Sequence, residues 1–291
     1  MVGSNHIAYA NYYELPFNGV EWLEKHHQSK AHEREQMIRD LGIEQGSFVV
    51  DAGCGPGLWT PFLAEAIGPA GCILGVDISA KALISAQERA AEAYYRQQVQ
   101  YKLASVEQLP LPHGEADLIF NANISQYFPN PVATFAAIGS YLRQGGRLVV
   151  KDADLGTMHF YNVNPSLQMR VLQAHKRRYQ ERIACGYPFE DHWVGSKLAG
   201  YLRTAGYKDV QEKLYRIKRS FPLSKDCRFY LEETAEWFVS EGSAYLSHDD
   251  KADWFQCFFD SNSCVLDRED FAYEETEYVV SGVWTTPSPD R

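Results

Sequence analysis

A short apolar run, Phe48 to Asp51, opens into Asp51-Ala52-Gly53-Cys54-Gly55-Pro56-Gly57. Glycines at 53, 55 and 57 allow backbone angles closed to other residues and let a ligand lie against the main chain near the start of a helix. Twenty residues beyond Gly57, a second apolar run ends in Gly75-Val76-Asp77. An acid at that place can accept hydrogen bonds from both hydroxyls of a ribose, so loop and acid together describe a nucleoside-bearing ligand. The dinucleotide pattern GxGxxG would put its third glycine at position 58, where Leu58 stands. Pro56 also removes an amide that a pyrophosphate would use. The spacing therefore points away from NAD and FAD.

A second group of candidates lies further on. The carboxyl ends of the strands face the ligand crevice in a doubly wound sheet, and the apolar run Arg147 to Lys151 leads into Asp152-Ala153-Asp154, then Met158-His159-Phe160-Tyr161. Asp152 and His159 are the candidate proton acceptors, since a carboxylate or an imidazole can take a proton from an acceptor group. His159 reads equally as a packing residue. Asp152 and Asp154 read also as caps, substrate contacts or partners of Lys151. Asp191-His192-Trp193 offers another histidine, whose competing use is to begin a helix at Val194.

The elements that must hold these residues alternate between strand and helix. Strands are expected at Phe48 to Asp51, Ile73 to Asp77, Val99 to Leu103, Asp117 to Phe120 and Arg147 to Lys151. Helices are expected at Leu58 to Ile67, Ala80 to Tyr95 and Pro131 to Leu142. This is an α/β pattern: a doubly wound, mainly parallel sheet of seven strands, Rossmann-like. A single N-terminal helix, Val20 to Leu41, packs on it behind the aromatic segment Tyr9, Tyr12, Tyr13 and Phe17. Beyond Asp152 come helices at Pro165 to Ala184 and Val194 to Ala205, then strands at Val210 to Ile217 and Glu277 to Trp284. Four regions follow: 1–45, a helical segment covering the site; 46–155, the ligand-binding core; 156–286, an inserted helical cap with completion of the sheet; and 287–291, a disordered tail.

The glycine loop, Gly75-Val76-Asp77 and Leu142-Arg143-Gln144-Gly145-Gly146-Arg147-Leu148 resemble the class I S-adenosylmethionine-dependent methyltransferases of small-molecule type. The resemblance covers about residues 40 to 155 and continues more loosely through Trp193-Val194-Gly195 and Glu275-Thr276-Glu277-Tyr278. It implies S-adenosylmethionine as cofactor, with Asp51, Gly53 and Gly55 around its methionine, Asp77 on the ribose and Ile78 on the adenine. Ser105 stands where the family often has an acid near the adenine amine, leaving the serine hydroxyl or the Val106 backbone to serve. Asn121-Ala122-Asn123-Ile124-Ser125-Gln126-Tyr127 resembles the segment under the methionine. Asn121 reads there as a ligand contact or a backbone anchor, and Tyr127 borders the acceptor. Tyr12 and Tyr13 would close the cofactor mouth, while Asp154, Trp193 and Trp237 would face the acceptor. The implied reaction moves a methyl group to an O, N or C nucleophile of a small molecule. A peptide or protein acceptor and a non-catalytic cofactor-binding scaffold are the alternatives.

Charge and composition narrow the partners. The 291 residues carry 38 acids against 28 Lys and Arg, for a formal charge of −10, so no field draws in a nucleic acid backbone. Residues 226 to 260 hold nine acids, two basic residues and nine aromatics. They read as a lid for a cationic or aromatic acceptor, or as two amphipathic helices with acids in water. Arg170, Lys176, Arg177, Arg178 and Arg182 read as a patch for an acidic partner or, at helical spacing, as a solvated face paired with that acidic stretch. No run of about 18 apolar residues occurs, so no membrane association is expected. The six cysteines are scattered without a CxxC pair, so neither a metal site nor a disulfide framework is expected, and a cytoplasmic location is. The oligomeric state is not fixed by any of these features.

Overall fold

The computed structural model describes residues 19–186 and 189–285. Tyr12, Tyr13 and the rest of the N-terminal aromatic segment lie outside the described residues, as does the tail from 286 onward. Five strands pair in parallel in the order β3-β2-β1-β4-β5: β1 (Phe48–Ala52), β2 (Cys72–Asp77), β3 (Val99–Leu103), β4 (Ala116–Ala122) and β5 (Leu142–Ala153). Their apolar runs are continuous rather than alternating because both faces of the sheet are covered. Val49, Val50, Val76, Ile119, Leu148 and Val149 are all buried.

The sheet is completed by an antiparallel addition. β8 (Ala272–Val283) pairs with β5 and with the two-residue β6 (His159–Phe160) along one edge, and with β7 (Lys208–Ser220) along the other. The seven-strand expectation thus holds, with β6 as a short eighth member. The outer strand pair is longer than the sequence pattern indicated, because charged residues alternate along β7 and mask its strand character.

Helices α3 (Thr60–Ile67), α4 (Ala80–Ala91) and α5 (Pro131–Gly139) cover the parallel strands. Ser79 caps α4 by accepting from the Ala82 N–H, and Asn130 caps α5 by accepting from the Ala133 N–H, each satisfying an otherwise unpaired helix donor. The segment expected as one helix over Val20 to Leu41 is two, α1 (Val20–Gln28) and α2 (Ala31–Asp40). The break is held by side chains. Ser29 Oγ donates to His26 O at 2.8 Å, and the Arg219 guanidinium from β7 donates to Ser29 O through Nη2 at 2.6 Å. Carbonyls taken this way leave the helical ladder, and the chain turns so that Lys30 is 1% exposed.

After β5 the chain builds a cap with its own core. α6 (Pro165–Ala184) packs against α8 (Lys225–Gly242) and α9 (His248–Phe259), while α7 (Leu198–Thr204) returns to the sheet. Leu167, Val171, Leu231, Phe238, Trp254 and Phe258 share this core. The acidic, aromatic stretch is therefore two amphipathic helices, although Phe255 and Phe259 face outward. Its acids meet the basic face of α6, as the charge pattern suggested: Arg170 Nη2 lies 2.6 Å from Asp250 Oδ1, and Arg182 Nη1 lies 3.1 Å from Glu241 Oε2.

Candidate functional site

The sheet order reverses at β1 and β4, which leaves a crevice beyond their carboxyl ends. There the structure has a cavity of about 650 Å³. Gly53, Gly55, Asp77, Ile78, Ser105 and Val106 line one end. Leu155, Tyr179, His192, Tyr230 and Trp237 line the other, with Tyr127 and Asp152 also on the wall. One continuous space is thus bounded by both the parallel sheet and the cap.

The cofactor end follows from local geometry. Gly55 has φ +52° and a Cβ built on it would meet nothing within 4 Å, so the turn leaves room where a ligand can approach the backbone. Its N–H donates to Asp77 Oδ2 at 2.8 Å, and the Ser79 N–H donates to Oδ1 at 2.8 Å. The carboxylate at the end of β2 is therefore oriented by backbone amides before any ligand arrives. Ile78, next along, is half-buried on the wall. Asp51 sits behind the loop, 1% exposed, with Oδ2 lacking a hydrogen-bond partner. Burial, together with the Asp77 charge, pushes its carboxyl up to about 8.

The acceptor end holds different chemistry. Asp152 is 3% exposed, with Oδ2 accepting from the Ser125 N–H at 3.1 Å. Burial raises its carboxyl, and the Lys151 charge opposes that rise. His192 is 9% exposed and stands perpendicular to Trp237 and Tyr179, at 5.0 and 4.8 Å between ring centroids. Gln126 Nε2 donates to Asn123 O at 3.0 Å, which turns Gln126 Oε1 toward His192 Nδ1 at 2.5 Å. The Nδ1 nitrogen then carries a hydrogen, and Nε2 lies 3.2 Å from Glu190 Oε1.

Several expected residues are not brought to the cavity. β6 turns His159 toward Gln168 Nε2, at 3.4 Å, and Tyr161, so the histidines on the wall are His26 and, at the acceptor end, His192. Asp191, rather than His192, serves the local turn by accepting from the Trp193 N–H at 3.1 Å. Asp154 ties two loops together, accepting from the Gly156 N–H at 2.9 Å and Ser196 Oγ at 2.6 Å. Trp193 packs on the cap core under Lys176, whose Nζ is 4.9 Å from the ring. Asn121 is a backbone anchor: it is fully buried, donates to Ala52 O at 3.4 Å and accepts from Ser125 Oγ at 3.1 Å. Ser105 uses its hydroxyl in its own turn, accepting from the Glu107 N–H at 3.3 Å. Lys30, Arg34 and Tyr230 are wall residues that sequence reasoning passed over. Lys30 and Arg34 are charged positions in a segment read as one amphipathic helix, where charge carries no signal of burial.

A family model described as a methyltransferase domain matches residues 43–206. The chain belongs to this methyltransferase family. S-adenosylmethionine is the cofactor of such a domain, and the open cradle at Gly55 and the oriented Asp77 fit it, while Asp51 stays off the cavity wall. Curated relatives include a 37.1 kDa uncharacterised protein of transposon TN4556 from Streptomyces fradiae, 28% identical over 59% of this chain and 46% of its own. Demethylmenaquinone methyltransferase of Staphylococcus aureus is 28% identical over 43% of this chain and 51% of its own. The chain spans about half the length of these relatives. Among solved structures, the YcgJ protein of Bacillus subtilis superposes with a TM-score of 0.55 at 13% identity, covering 88% of this chain and 100% of that one. Phosphoethanolamine N-methyltransferase 2 of Haemonchus contortus, solved with S-adenosyl-L-methionine, gives 0.56 at 13% identity over 96% of this chain and 60% of its own. Both likenesses concern the fold. Among the described residues of this methyltransferase chain, no helix is long and apolar enough to cross a membrane.

Proposed function

We propose that the protein transfers a methyl group from S-adenosylmethionine to an O, N or C nucleophile of a small molecule. The observation that carries this reading is the continuity of the cavity, which joins the Gly55 and Asp77 end to a wall of aromatic and titratable cap residues. The bound cofactor supplies a sulfonium-activated methyl group. Gly53, Gly55 and Asp77 hold it, Ile78 packs on its base, and Ser105 and Val106 border the same end. Tyr127 and Trp237 position the acceptor, and the cap keeps bulk water out, so that alignment supplies most of the rate. Asp152 and His192 are the groups that can hold a proton released by the acceptor.

In this reading residues 46–155 form the cofactor-binding core, 156–286 the cap, and the N-terminal 1–45 part of its cover. Six free cysteines suit a reducing compartment such as the cytoplasm. The test is incubation with S-adenosylmethionine carrying a deuterated methyl group and a small-molecule extract, followed by mass spectrometry. The expected result is a product heavier by one trideuteriomethyl group. Cofactor binding without any labelled small molecule would contradict the transfer.

A further inference from the structure

The break between α1 and α2 buries two cations beside the cavity. Lys30 and Arg34 are 1% and 2% exposed and line its wall, and Lys151 lies beneath, also 1% exposed. Two carboxylates from β8 face these three cations. Glu277 Oε1 is 2.6 Å from Lys151 Nζ, 3.2 Å from Lys30 Nζ and 3.7 Å from Arg34 Nη2, while Glu275 pairs with Lys30.

Arg34 is the least compensated. Its Nη1 and Nη2 meet His27 Nδ1 at 3.0 Å and His26 Nε2 at 3.3 Å, contacts that require those ring nitrogens to be unprotonated acceptors. Burial and the surrounding cations hold both histidines low. Its Nε is buried with no hydrogen-bond partner. The one carboxylate near it stands beyond bidentate reach, and its planar group lies over the Trp59 ring, 5.1 Å from the centroid, next to the glycine loop. Lys151, by contrast, is held by Glu277 and donates to Asn123 Oδ1 at 2.7 Å. A buried guanidinium with an unpaired N–H is costly unless an acceptor joins it.

We infer that Arg34, with Lys30 beside it, forms an anion subsite in the cavity wall that takes a carboxylate of the bound small molecule. This rests on the methyl-transfer reading, because it assumes a ligand in this cavity. The carboxylate belongs either to the amino-acid end of the cofactor or to the acceptor, and the guanidinium chemistry is the same for both.

The test compares S-adenosylhomocysteine with 5′-methylthioadenosine, which keeps the nucleoside and thioether but lacks the amino acid, by calorimetry on the wild type and Arg34→Gln. If the carboxylate is the cofactor's, Arg34→Gln weakens S-adenosylhomocysteine by roughly 10- to 100-fold and leaves methylthioadenosine unchanged. If it is the acceptor's, both nucleosides bind as before, and benzoate added with S-adenosylhomocysteine raises the melting temperature of the wild type but not of the variant. Equal weakening of both nucleosides, or no effect of Arg34→Gln in either arm, overturns the subsite. Should the variant not fold, decarboxylated S-adenosylhomocysteine on the wild type, together with the benzoate shift, decides. Equal affinity with the parent and no benzoate shift overturn the subsite. Failure of the wild type to bind either nucleoside refutes the cofactor reading instead and is seen before any variant is made.

Discussion

Gly55 and Asp77 are joined across the crevice by a 2.8 Å hydrogen bond from the Gly55 N–H to Asp77 Oδ2. The loop after β1 and the acid ending β2 are thus one unit. Replacing Asp77 removes an acceptor for the ligand and also the anchor of the loop. Asp77→Ala should weaken S-adenosylhomocysteine by about 1.5 to 3 kcal/mol, the range for hydrogen bonds to a charged group. Calorimetry measures this, and an unchanged dissociation constant would take Asp77 out of the site.

Asp51 gives a prediction of stability against pH. Its carboxyl ordinarily ionises near 3.8 and is raised to about 8 in the folded chain. The folded state therefore binds more protons than the unfolded state between these values, and stability falls as pH rises through that window. Asp51→Asn should flatten this slope in denaturant unfolding series of the ligand-free protein between pH 4 and pH 8. An identical slope would mean that the Asp51 carboxyl is ionised in the fold.

Glu277 has the opposite sign. Lys151, Lys30 and Arg34 hold its carboxyl well below the usual range against the cost of burial. Its contribution is fully present above the ordinary glutamate value of 4.5 and is lost as pH falls through the depressed folded value. Glu277→Gln leaves those cations with Glu275 alone and should destabilise by roughly 3 to 5 kcal/mol. A denaturation midpoint close to wild type would show that the cluster relaxes around the change.

His192 and Gln126 predict a separation between turnover and cofactor binding. His192→Ala should lower turnover while leaving S-adenosylhomocysteine affinity within about threefold, because the ring belongs to the acceptor end. Gln126→Leu should release the Nδ1–H tautomer, which nitrogen chemical shifts of the His192 ring report directly. His159→Ala, off the cavity, should change neither turnover nor affinity. A turnover loss confined to the His159 variant would reverse the assignment.

The sequence made the sheet legible because its strands are apolar runs punctuated by glycines, and the loop at 53–57 with Asp77 is read by spacing alone. The acceptor end was far less so. His159 and His192 sit in similar aromatic company along the chain, and only the pairing of β6 with β8 turns one away from the cavity. Lys30 and Arg34 look like the polar face of one long helix. Their burial depends on Glu275 and Glu277, some 240 residues away, and on Arg219 holding the break. Asn121 and Asp154 were legible as polar residues near the site. Their use as anchors depends on partners from other loops, Ser125 and Ser196.

The central claim is that this cavity holds S-adenosylmethionine against the glycine loop, and calorimetry of S-adenosylhomocysteine with the wild type and Gly55→Val tests it most directly. A Cβ at Gly55 enters open space that the ligand would occupy, and a β-branched residue at φ +52° also strains the loop that holds it. The account predicts saturable binding by the wild type and loss of binding by a folded Gly55→Val variant, with circular dichroism unchanged. Wild-type affinity in that variant, or no binding by the wild type, would contradict it.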